Sequence, residues 1–397
     1  MPPPMFEAFA ESDYRRFWTT QFVSNIGSWM QNVAQGWLVY RLTDSAFLLG
    51  FVGFASYIPA FFLMFFGGVV ADHFDRKRVV ALSQWAQALS ALWLAIAIKF
   101  GHIGVWQIIA ASSVVGVAIS FSAPAWQAMV VDLLDDRARL PNAVAMNSLQ
   151  FNLSRVIGPL LAGATLAAWG SFWCFFLNAL SFLPLIFVLG RIKQRQAPPA
   201  APGEVMARLK EGFAYVRRDR VVLVLLVIVS AASVGYSYLT LMPMLARKLY
   251  GAQHDAHGLG VLMGAIGAGA LVGALTISIR TPSKMMPLIY AALASFCIAI
   301  SILGYVKQLA VVCALLAICG AGMVVGVALC NTSIQQLVPD VMRGRVLSMY
   351  TFAFFAFLPF GNLFAGILAE HRGLPITLVA CGGILGATLL ILAALSE

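Results

Sequence analysis

Twelve long apolar runs constrain the fold of this chain more than any other feature of its sequence. Each run has about 20 or more mostly apolar residues, which is the length that a helix needs to cross the hydrocarbon core of a membrane. Apolar and polar residues do not alternate within the runs, so helices are favoured over the strands of a barrel. The runs cover approximately residues 17–40, 46–71, 79–100, 104–126, 142–168, 171–190, 221–247, 258–279, 285–305, 308–331, 345–369 and 373–395.

The small number of charged residues excludes most other classes of protein. Asp, Glu, Lys and Arg make up 11% of the 397 residues, whereas 61% are hydrophobic. A soluble domain carries roughly 25% charged residues. We therefore predict an all-α polytopic membrane protein that lies in a lipid bilayer and has no nucleic-acid partner, despite its formal net charge of +10.

The distribution of Lys and Arg residues predicts the orientation of the chain. With the N-terminus in the cytoplasm, 19 of the 26 basic residues lie in cytoplasmic segments and six lie in outer segments. Cytoplasmic loops of membrane proteins carry such an excess of basic residues. Both termini are therefore predicted to be cytoplasmic. The remaining basic residue, Arg155, lies inside the fifth run.

A polar stretch at residues 191–220 separates the first six runs from the last six. We predict an N-terminal six-helix bundle at 1–190, a cytoplasmic linker at 191–220 and a C-terminal six-helix bundle at 221–397. The linker begins with a stretch rich in proline and alanine. A later part favours an amphipathic helix on the membrane surface, because one helical face would carry Val205, Leu209, Phe213 and Val216. A solvated basic linker is the alternative.

The two halves of the sequence resemble each other. Matching residues recur at offsets of 208 and 203 positions: Asp132 with Asp340, Arg137 with Arg345, Gly158 with Gly361, and Gly163 with Gly366. Two pseudo-symmetric halves of six spans are typical of secondary transporters, whose site lies between the halves near the middle of the membrane. An internal repeat therefore points toward transport.

A glycine, an aspartate and a basic cluster follow the second run, at Gly68, Asp72, Arg76, Lys77 and Arg78. Glycine allows two helices to approach closely. An aspartate is stabilised near the N-terminus of a neighbouring helix, so this loop can form a conformational latch. An ordinary basic cytoplasmic loop would explain the three cations, but not Asp72 at its spacing from Gly68.

This motif resembles the signature loop of the major facilitator superfamily. The resemblance implies twelve transmembrane helices in two six-helix bundles, a small-molecule substrate and no cofactor. We extend the predicted latch to the repeated loop residues, which are Asp132, Arg137, Asp340 and Arg345. The loop of the second half that corresponds to Asp72 lacks an acid, so the main latch is expected on one side only.

The segments 13–30, 41–50 and 209–220 resemble the transmembrane secretion effector branch, which includes the enterobactin exporter, and the resemblance covers nearly the whole length. The fifth run resembles a glycine–proline motif of exporters. Residues predicted to pack helices closely there and in its repeat are Ser154, Gly158, Pro159, Ala162, Gly163, Gly361 and Gly366. The fourth run lacks an arginine that is linked to proton coupling in the superfamily. The resemblance still implies a proton as coupling ion, a monomer and the cytoplasmic membrane of a bacterium.

Polar residues within the runs predict the lining of a substrate cavity. The first run has a polar stripe with helical spacing. Such a stripe would not face lipid, because lipid offers its polar groups no partners. The predicted lining consists of Gln21, Asn25, Ser28, Asn32, Gln35, Ser148, Asn152, Arg155, Tyr236 and Tyr238. Bonding between neighbouring helices is the alternative for the stripe, and a structural role is the alternative for Arg155.

Catalytic and metal-binding patterns are missing from the sequence. There is no CxxC pair, no GxxxxGK[ST] loop and no nucleophile–base–acid set within the runs, so we predict neither an enzyme nor a metal site. The function that fits best is export of a small organic solute, such as a siderophore, a drug-like compound or an aromatic or anionic compound. A metabolite importer and a lipid-handling or signalling membrane protein remain as alternatives.

Overall fold

A computed structural model describes residues 4–192, 211, 213–279 and 285–395. The regular secondary structure of these residues consists of α- and 3₁₀-helices, and no strand occurs among them. The helices of the first half are α1 (Ser12–Thr43), α2 (Ala46–His73), α3 (Arg76–Lys99), α4 (Val105–Asp132), α5 (Leu140–Trp169) and α6 (Ser171–Arg191). Those of the second half are α7 (Arg220–Tyr236), α8 (Met242–Tyr250), α9 (Asp255–Ile279), α10 (Met285–Leu303), α11 (Leu309–Leu337), α12 (Asp340–Arg372) and α13 (Leu374–Ala394).

Eleven segments within the described residues are long and apolar enough to cross a membrane. Helix α1 is not one of them, although its 32 residues exceed the length that a span needs. Its polar stripe lowers the mean hydropathy, since amide and hydroxyl side chains recur on nearly every turn. The all-α, membrane-spanning fold predicted from the sequence is confirmed, and α1 has the length to be the twelfth span.

The predicted span at 221–247 is not one continuous helix, which corrects the sequence analysis. Helix α7 ends at Tyr236, a 3₁₀ segment follows at Ser237–Leu241, and α8 begins at Met242. Pro243 lies in the first turn of α8. Proline has no backbone N–H to donate to the residue four positions earlier, which here is Leu239 in the 3₁₀ segment. Five other described helices continue through an internal proline, so Pro243 is compatible with the break but does not by itself explain it.

The chain forms two compact units. The first comprises residues 1–38 and 58–202, and the second comprises residues 39–57 and 203–397. In the first unit α3 packs against α4 and α6. In the second unit α11 packs against α9 and α10, α12 packs against α7, and α13 packs against both α7 and α10.

The loops that end α5 and α12 have the same backbone geometry. Gly170 has φ +84° and Gly373 has φ +78°, and the two glycines stand 203 positions apart, at the offset of the sequence repeat. Positive φ is favourable for glycine and rare for other residues. Each glycine ends one helix and starts the next, so the repeated sequence produces a repeated turn.

The predicted surface helix falls partly outside the described residues, because Val205 and Leu209 belong to 193–210. Residues 213–218 are helical. Phe213 is exposed and Val216 is buried, so the two do not share one environment.

Candidate functional site

The predicted latch is described only in part. Gly68 and Asp72 belong to α2, but their side-chain environments lie outside the described residues. The side chain of Asp340, the first residue of α12, lies outside them too. The best-defined contact joins Arg76 at the start of α3 to Asp132 at the end of α4, with Nη1 2.9 Å from Oδ2.

This Arg76–Asp132 ion pair is largely buried, since the two side chains are 13% and 10% exposed. A buried pair of charges needs good geometry to offset the loss of hydration. The pair ties the end of α4 to the start of α3 within the first unit. Lys77 Nζ donates to the carbonyl oxygen of Ile192 at 3.1 Å, so a second cation of the cluster holds the end of α6.

The other predicted latch residues make local contacts. Arg78 is exposed and lies 3.5 Å from Asp75, which caps α3. Arg137 is exposed in a short 3₁₀ turn. Arg345 pairs with Glu211 in the second unit. The described ion pairs join Asp132 to Arg76 and Arg345 to Glu211, and a latch role for the residues that the repeat matches stays a prediction.

Small residues bring helices into close contact in both units. A Cβ atom on Gly158 of α5 would lie 2.5 Å from Cβ of Trp29 and 2.9 Å from the carbonyl oxygen of Ile26, both on α1. A Cβ atom on Gly361 of α12 would lie 3.0 Å from Cα of Val234 on α7. The repeated glycines therefore lie against the first helix of each sequence half. Ser154, Pro159, Ala162 and Gly163 are buried as well.

A second close approach joins α12 to α2 within the second unit. A Cβ atom on Gly366 would lie 2.7 Å from Cα of Gly50. Asn362 lies one turn earlier on α12, where its side-chain oxygen accepts a hydrogen bond from Thr240 at 2.9 Å. These residues fix the first turns of α2 against α12.

The polar stripe of α1 makes two kinds of contact. Gln21 is buried and donates to Asn25 at 2.9 Å, while Gln35 donates to Ser112 of α4 at 3.0 Å. Ser28 donates to the backbone of its own helix, and Asn32 is exposed. Interhelical bonding thus accounts for Gln35, and a cavity-lining role for the other four residues stays a prediction.

Arg155 lies in the middle of α5, fifteen positions after Leu140 and fourteen before Trp169. Its guanidinium carbon is 6.0 Å from the ring centre of Trp29, which itself contacts the ring of Phe151 edge-on at 5.8 Å. Such a distance is within the range of a cation–π interaction. One and two turns before Arg155, Asn152 and Ser148 hydrogen-bond to carbonyl oxygens of α5.

The second unit contains a chain of aromatic rings. Tyr57 of α2 contacts Phe355, Phe355 contacts Phe354, and Phe354 contacts Tyr236, with ring centres 6.3, 5.6 and 5.8 Å apart. The sequence alone does not single out Tyr57, because seven phenylalanines stand in the same apolar run.

Tyr238 packs inside the second unit, and its predicted cavity-lining role stays a prediction. Its side chain is 1% exposed, and its ring lies against that of Phe296 at 5.6 Å. The 3₁₀ turn after α7 directs this side chain into the interior of the unit. Tyr238 therefore packs behind Tyr236, whose ring centre is 6.5 Å away.

A carboxylate that the sequence analysis did not single out joins α12 to the start of α2. Glu370 Oε2 accepts hydrogen bonds from the backbone nitrogens of Ala46 at 2.7 Å and Phe47 at 3.0 Å, and from Ser45 Oγ at 3.2 Å. Nearby, Asp44 lies 3.4 Å from Arg247 of α8. Only the position of Glu370 at the end of a span could have drawn attention to it.

No group of three or more His, Cys, Asp or Glu residues that could hold a metal ion occurs in the described part of the chain. The six cysteines are free thiols, and four of them are buried. Apolar surroundings favour such cysteines as small hydrophobic residues.

Comparison with known proteins places the chain in a family. The sequence profile of transmembrane secretion effectors matches residues 4–396. The staphyloferrin A transporter of Staphylococcus aureus is 27% identical over 90% of this chain and 90% of its own. The multidrug efflux pump Tap of Mycolicibacterium fortuitum is 27% identical over 89% of this chain and 88% of its own. The enterobactin exporter EntS of Shigella flexneri is 27% identical over 85% of this chain and 80% of its own.

Solved structures support the fold. The nucleoside transporter NupG superposes with a TM-score of 0.74 at 13% identity and covers 97% of this chain and 99% of its own. A D-xylose–proton symporter superposes with a TM-score of 0.72 at 13% identity, and the superposition covers 96% of this chain and 97% of the symporter. The chain therefore belongs to the transmembrane secretion effector family of the major facilitator superfamily, whose members are membrane transporters and not enzymes.

Proposed function

We propose that this protein is a secondary active transporter that exports a small organic solute, anionic or electron-rich, across the cytoplasmic membrane of a bacterium. Alternating access moves the solute, and proton antiport supplies the energy. Relatives named as an efflux pump and as an exporter support the outward direction. The proposed charge of the solute is inferred from the position of Arg155.

Arg155 holds a positive charge at the middle of a membrane-spanning helix. A charge at this depth costs about 2.5–3.5 kcal/mol on insertion scales and usually marks a functional site. In the sequence, all 16 Asp and Glu residues stand near the ends of the apolar runs or outside them. A positively charged site of low dielectric constant attracts anions and repels lipophilic cations. Anionic siderophores and aromatic acids have the required charge.

Aromatic residues offer the second kind of contact. Trp29 lies beside Arg155 in the first unit, and Tyr236, Phe354, Phe355 and Tyr57 form a continuous set of rings in the second. Aromatic side chains bind flat solutes through ring contacts, and a tyrosine hydroxyl adds a hydrogen bond. The charge of Arg155 beside the ring of Trp29 favours an electron-rich or aromatic organic anion over a small inorganic one.

Proton coupling rests on the family and on the acids at the ends of the spans. The sequence has no GxxxxGK[ST] loop for nucleotide hydrolysis. With no acid at mid-span, the proton acts at an acid such as Asp132, Asp72 or Asp340, or on the solute itself. We further propose that the transporter is a monomer with both termini in the cytoplasm.

Uptake into inverted membrane vesicles with an imposed pH gradient tests the proposal. An anionic siderophore, an aromatic acid and ethidium are compared for the parent protein, Arg155→Gln and Arg155→Lys. We expect Arg155→Gln to lose anion uptake by about tenfold or more, since a hydrogen bond to a charged group contributes about 1.5–3 kcal/mol. Arg155→Lys keeps part of it, because the charge survives without the forked donor geometry.

Arg191→Gln is the matched control, because it removes an exposed positive charge at the end of α6. Normal anion uptake by Arg155→Gln, or a clear preference of the parent protein for ethidium, contradicts the proposed solute charge. Uptake that persists after the pH gradient is collapsed contradicts proton coupling.

A further inference from the structure

We propose that the second unit binds an anionic phospholipid in a groove formed by the start of α7, the start of α10 and the end of α13. The groove has a volume of about 680 Å³, which is within the range of about 300–1,000 Å³ that ligand pockets occupy. Its apolar walls include Val221, Val224, Val227, Met286, Tyr290 and Leu392. Because α13 packs on both α7 and α10, all three walls belong to one compact unit.

The groove lies on the outward face of α7. Val221 and Val227 are 45% and 39% exposed, whereas Val222 and Leu225 on the opposite face are fully buried. Val221, Val224 and Val227 follow one another at steps of three residues, so they share one side of the helix. These side chains are partly exposed on a membrane-spanning helix, and the surroundings of such a face are acyl chains.

Arg220 adds a positive charge to the apolar groove. It is the first residue of α7 and is exposed, and it forms part of the groove wall. Its Nη2 donates a hydrogen bond to the carbonyl oxygen of Leu395 beyond the end of α13. This bond holds the guanidinium group between the two helices. A guanidinium group has five N–H donors and binds phosphate in a forked geometry, so donors remain for a phosphate group.

The neighbouring charges favour an anion as well. Arg217 and Arg218 precede Arg220 and are exposed. The nearest acid along the chain, Asp219, accepts hydrogen bonds from the backbone nitrogens of Val221 at 3.0 Å and Val222 at 3.1 Å. Its carboxylate is therefore engaged at the start of the helix. Within residues 217–220, three arginines outnumber the one acid.

A phospholipid with a net negative head group matches both parts of this site. One acyl chain lies against the valines and Leu392, and the phosphate contacts Arg220. The basic residues place this end of the unit on the cytoplasmic side according to the predicted orientation, and anionic lipids are abundant in that leaflet. A zwitterionic lipid has the same acyl chains, but its head group has no net negative charge to attract the three arginines.

Native mass spectrometry of the purified full-length protein in detergent tests the proposal. Phosphatidylglycerol, phosphatidylcholine and inorganic phosphate are titrated separately. We expect phosphatidylglycerol to bind, and Arg220→Gln to weaken that binding about fivefold, the equivalent of about one basic residue at a membrane surface. Arg220→Lys retains more of the affinity. Val224→Trp keeps the charge but fills the groove, so it loses the bound lipid.

The control variant is Arg191→Gln, which removes an exposed arginine from the end of α6 in the first unit and keeps full affinity. Equal affinities for phosphatidylglycerol and phosphatidylcholine overturn the proposal, as does equal binding by Arg220→Gln and Arg191→Gln. Binding of inorganic phosphate as tightly as phosphatidylglycerol also overturns it, because the apolar groove would then contribute nothing. Unchanged lipid binding by Val224→Trp would show that the lipid binds outside the groove. This test does not depend on whether Arg220→Gln folds.

Discussion

The side-chain carboxylate of Glu370 lies 2.7 Å from the backbone nitrogen of Ala46, so the C-terminal end of α12 caps the N-terminal end of α2. The first backbone N–H groups of a helix have no partners within that helix. A carboxylate there forms charge-assisted hydrogen bonds and interacts favourably with the helix dipole. Glu370 satisfies two of these groups, those of Ala46 and Phe47. A residue near the end of the chain therefore determines how the second helix begins.

Removing this carboxylate is expected to loosen the first turn of α2. Loss of a helix cap costs about 1 kcal/mol, or about a fivefold change in the local opening equilibrium. Glu370→Ala should therefore speed amide hydrogen exchange at residues 46–48 by about fivefold, measured by mass spectrometry of the purified protein. Arg372→Gln changes an exposed charge two positions along the chain and leaves this exchange rate as in the parent. Equal rates in the two variants would contradict the capping role.

Hydropathy and charge predicted the membrane-spanning helices because both signals extend over a whole run. Eleven candidate spans occur within the described residues, and their ends lie at most eight residues from the predicted ones. The break between α7 and α8 was missed, since the 3₁₀ segment at Ser237–Leu241 lies within a run whose average hydropathy stays high. The cap on α2 was missed for another reason. Its two partners, Glu370 and Ala46, are 324 positions apart, and no local pattern connects them.

The candidate site was predicted less completely than the fold. The sequence identified Arg155 because a charge inside an apolar run is visible without any structure. It did not identify the ring contacts of Tyr57, because seven phenylalanines stand in the same run at 46–71. It did not identify the burial of Tyr238, because the direction of that side chain depends on the 3₁₀ turn that contains it. The repeated glycines carry a clearer signal, since only small residues fit where Gly158 and Gly361 lie against the backbones of α1 and α7.

Alanine substitutions of two glycines should have different effects on stability. A Cβ atom on Gly158 would lie 2.5 Å from Cβ of Trp29, so α1 and α5 must move apart, which typically costs about 1–3 kcal/mol. A Cβ atom on Gly190 of α6 meets no atom within 4 Å, and alanine favours a helix by up to about 1 kcal/mol over glycine. We expect Gly158→Ala to lower the melting temperature in detergent and Gly190→Ala to leave it unchanged or raise it. Equal melting temperatures would mean that α1 and α5 are not in tight contact.

The Arg76–Asp132 pair should behave as one unit in a double-mutant cycle. Removing one partner of a buried ion pair leaves the other charge poorly compensated and costs about 3–5 kcal/mol, whereas replacing both is often far less damaging. Arg76→Gln and Asp132→Asn should each lower the melting temperature strongly, and the double variant should recover part of the loss. Arg78→Gln serves as the comparison, because Arg78 is 83% exposed in its ion pair with Asp75 and exposed pairs contribute about 0–1 kcal/mol. Additive losses in the double variant would show that the two residues do not interact.

Cysteine labelling tests the orientation that the basic residues predict. The six native cysteines are free thiols, so a cysteine-free background is needed before single cysteines are introduced. Gln308 and His102 lie at predicted outer loops, whereas Ala138 and Ala214 lie at predicted cytoplasmic segments, and all four are exposed. In intact cells, an impermeant maleimide should label Gln308→Cys and His102→Cys, because outer segments carry only six of the 26 basic residues. Ala138→Cys and Ala214→Cys should react only after the membrane is opened. The opposite labelling pattern would reverse the orientation and place the Arg220 groove in the outer leaflet.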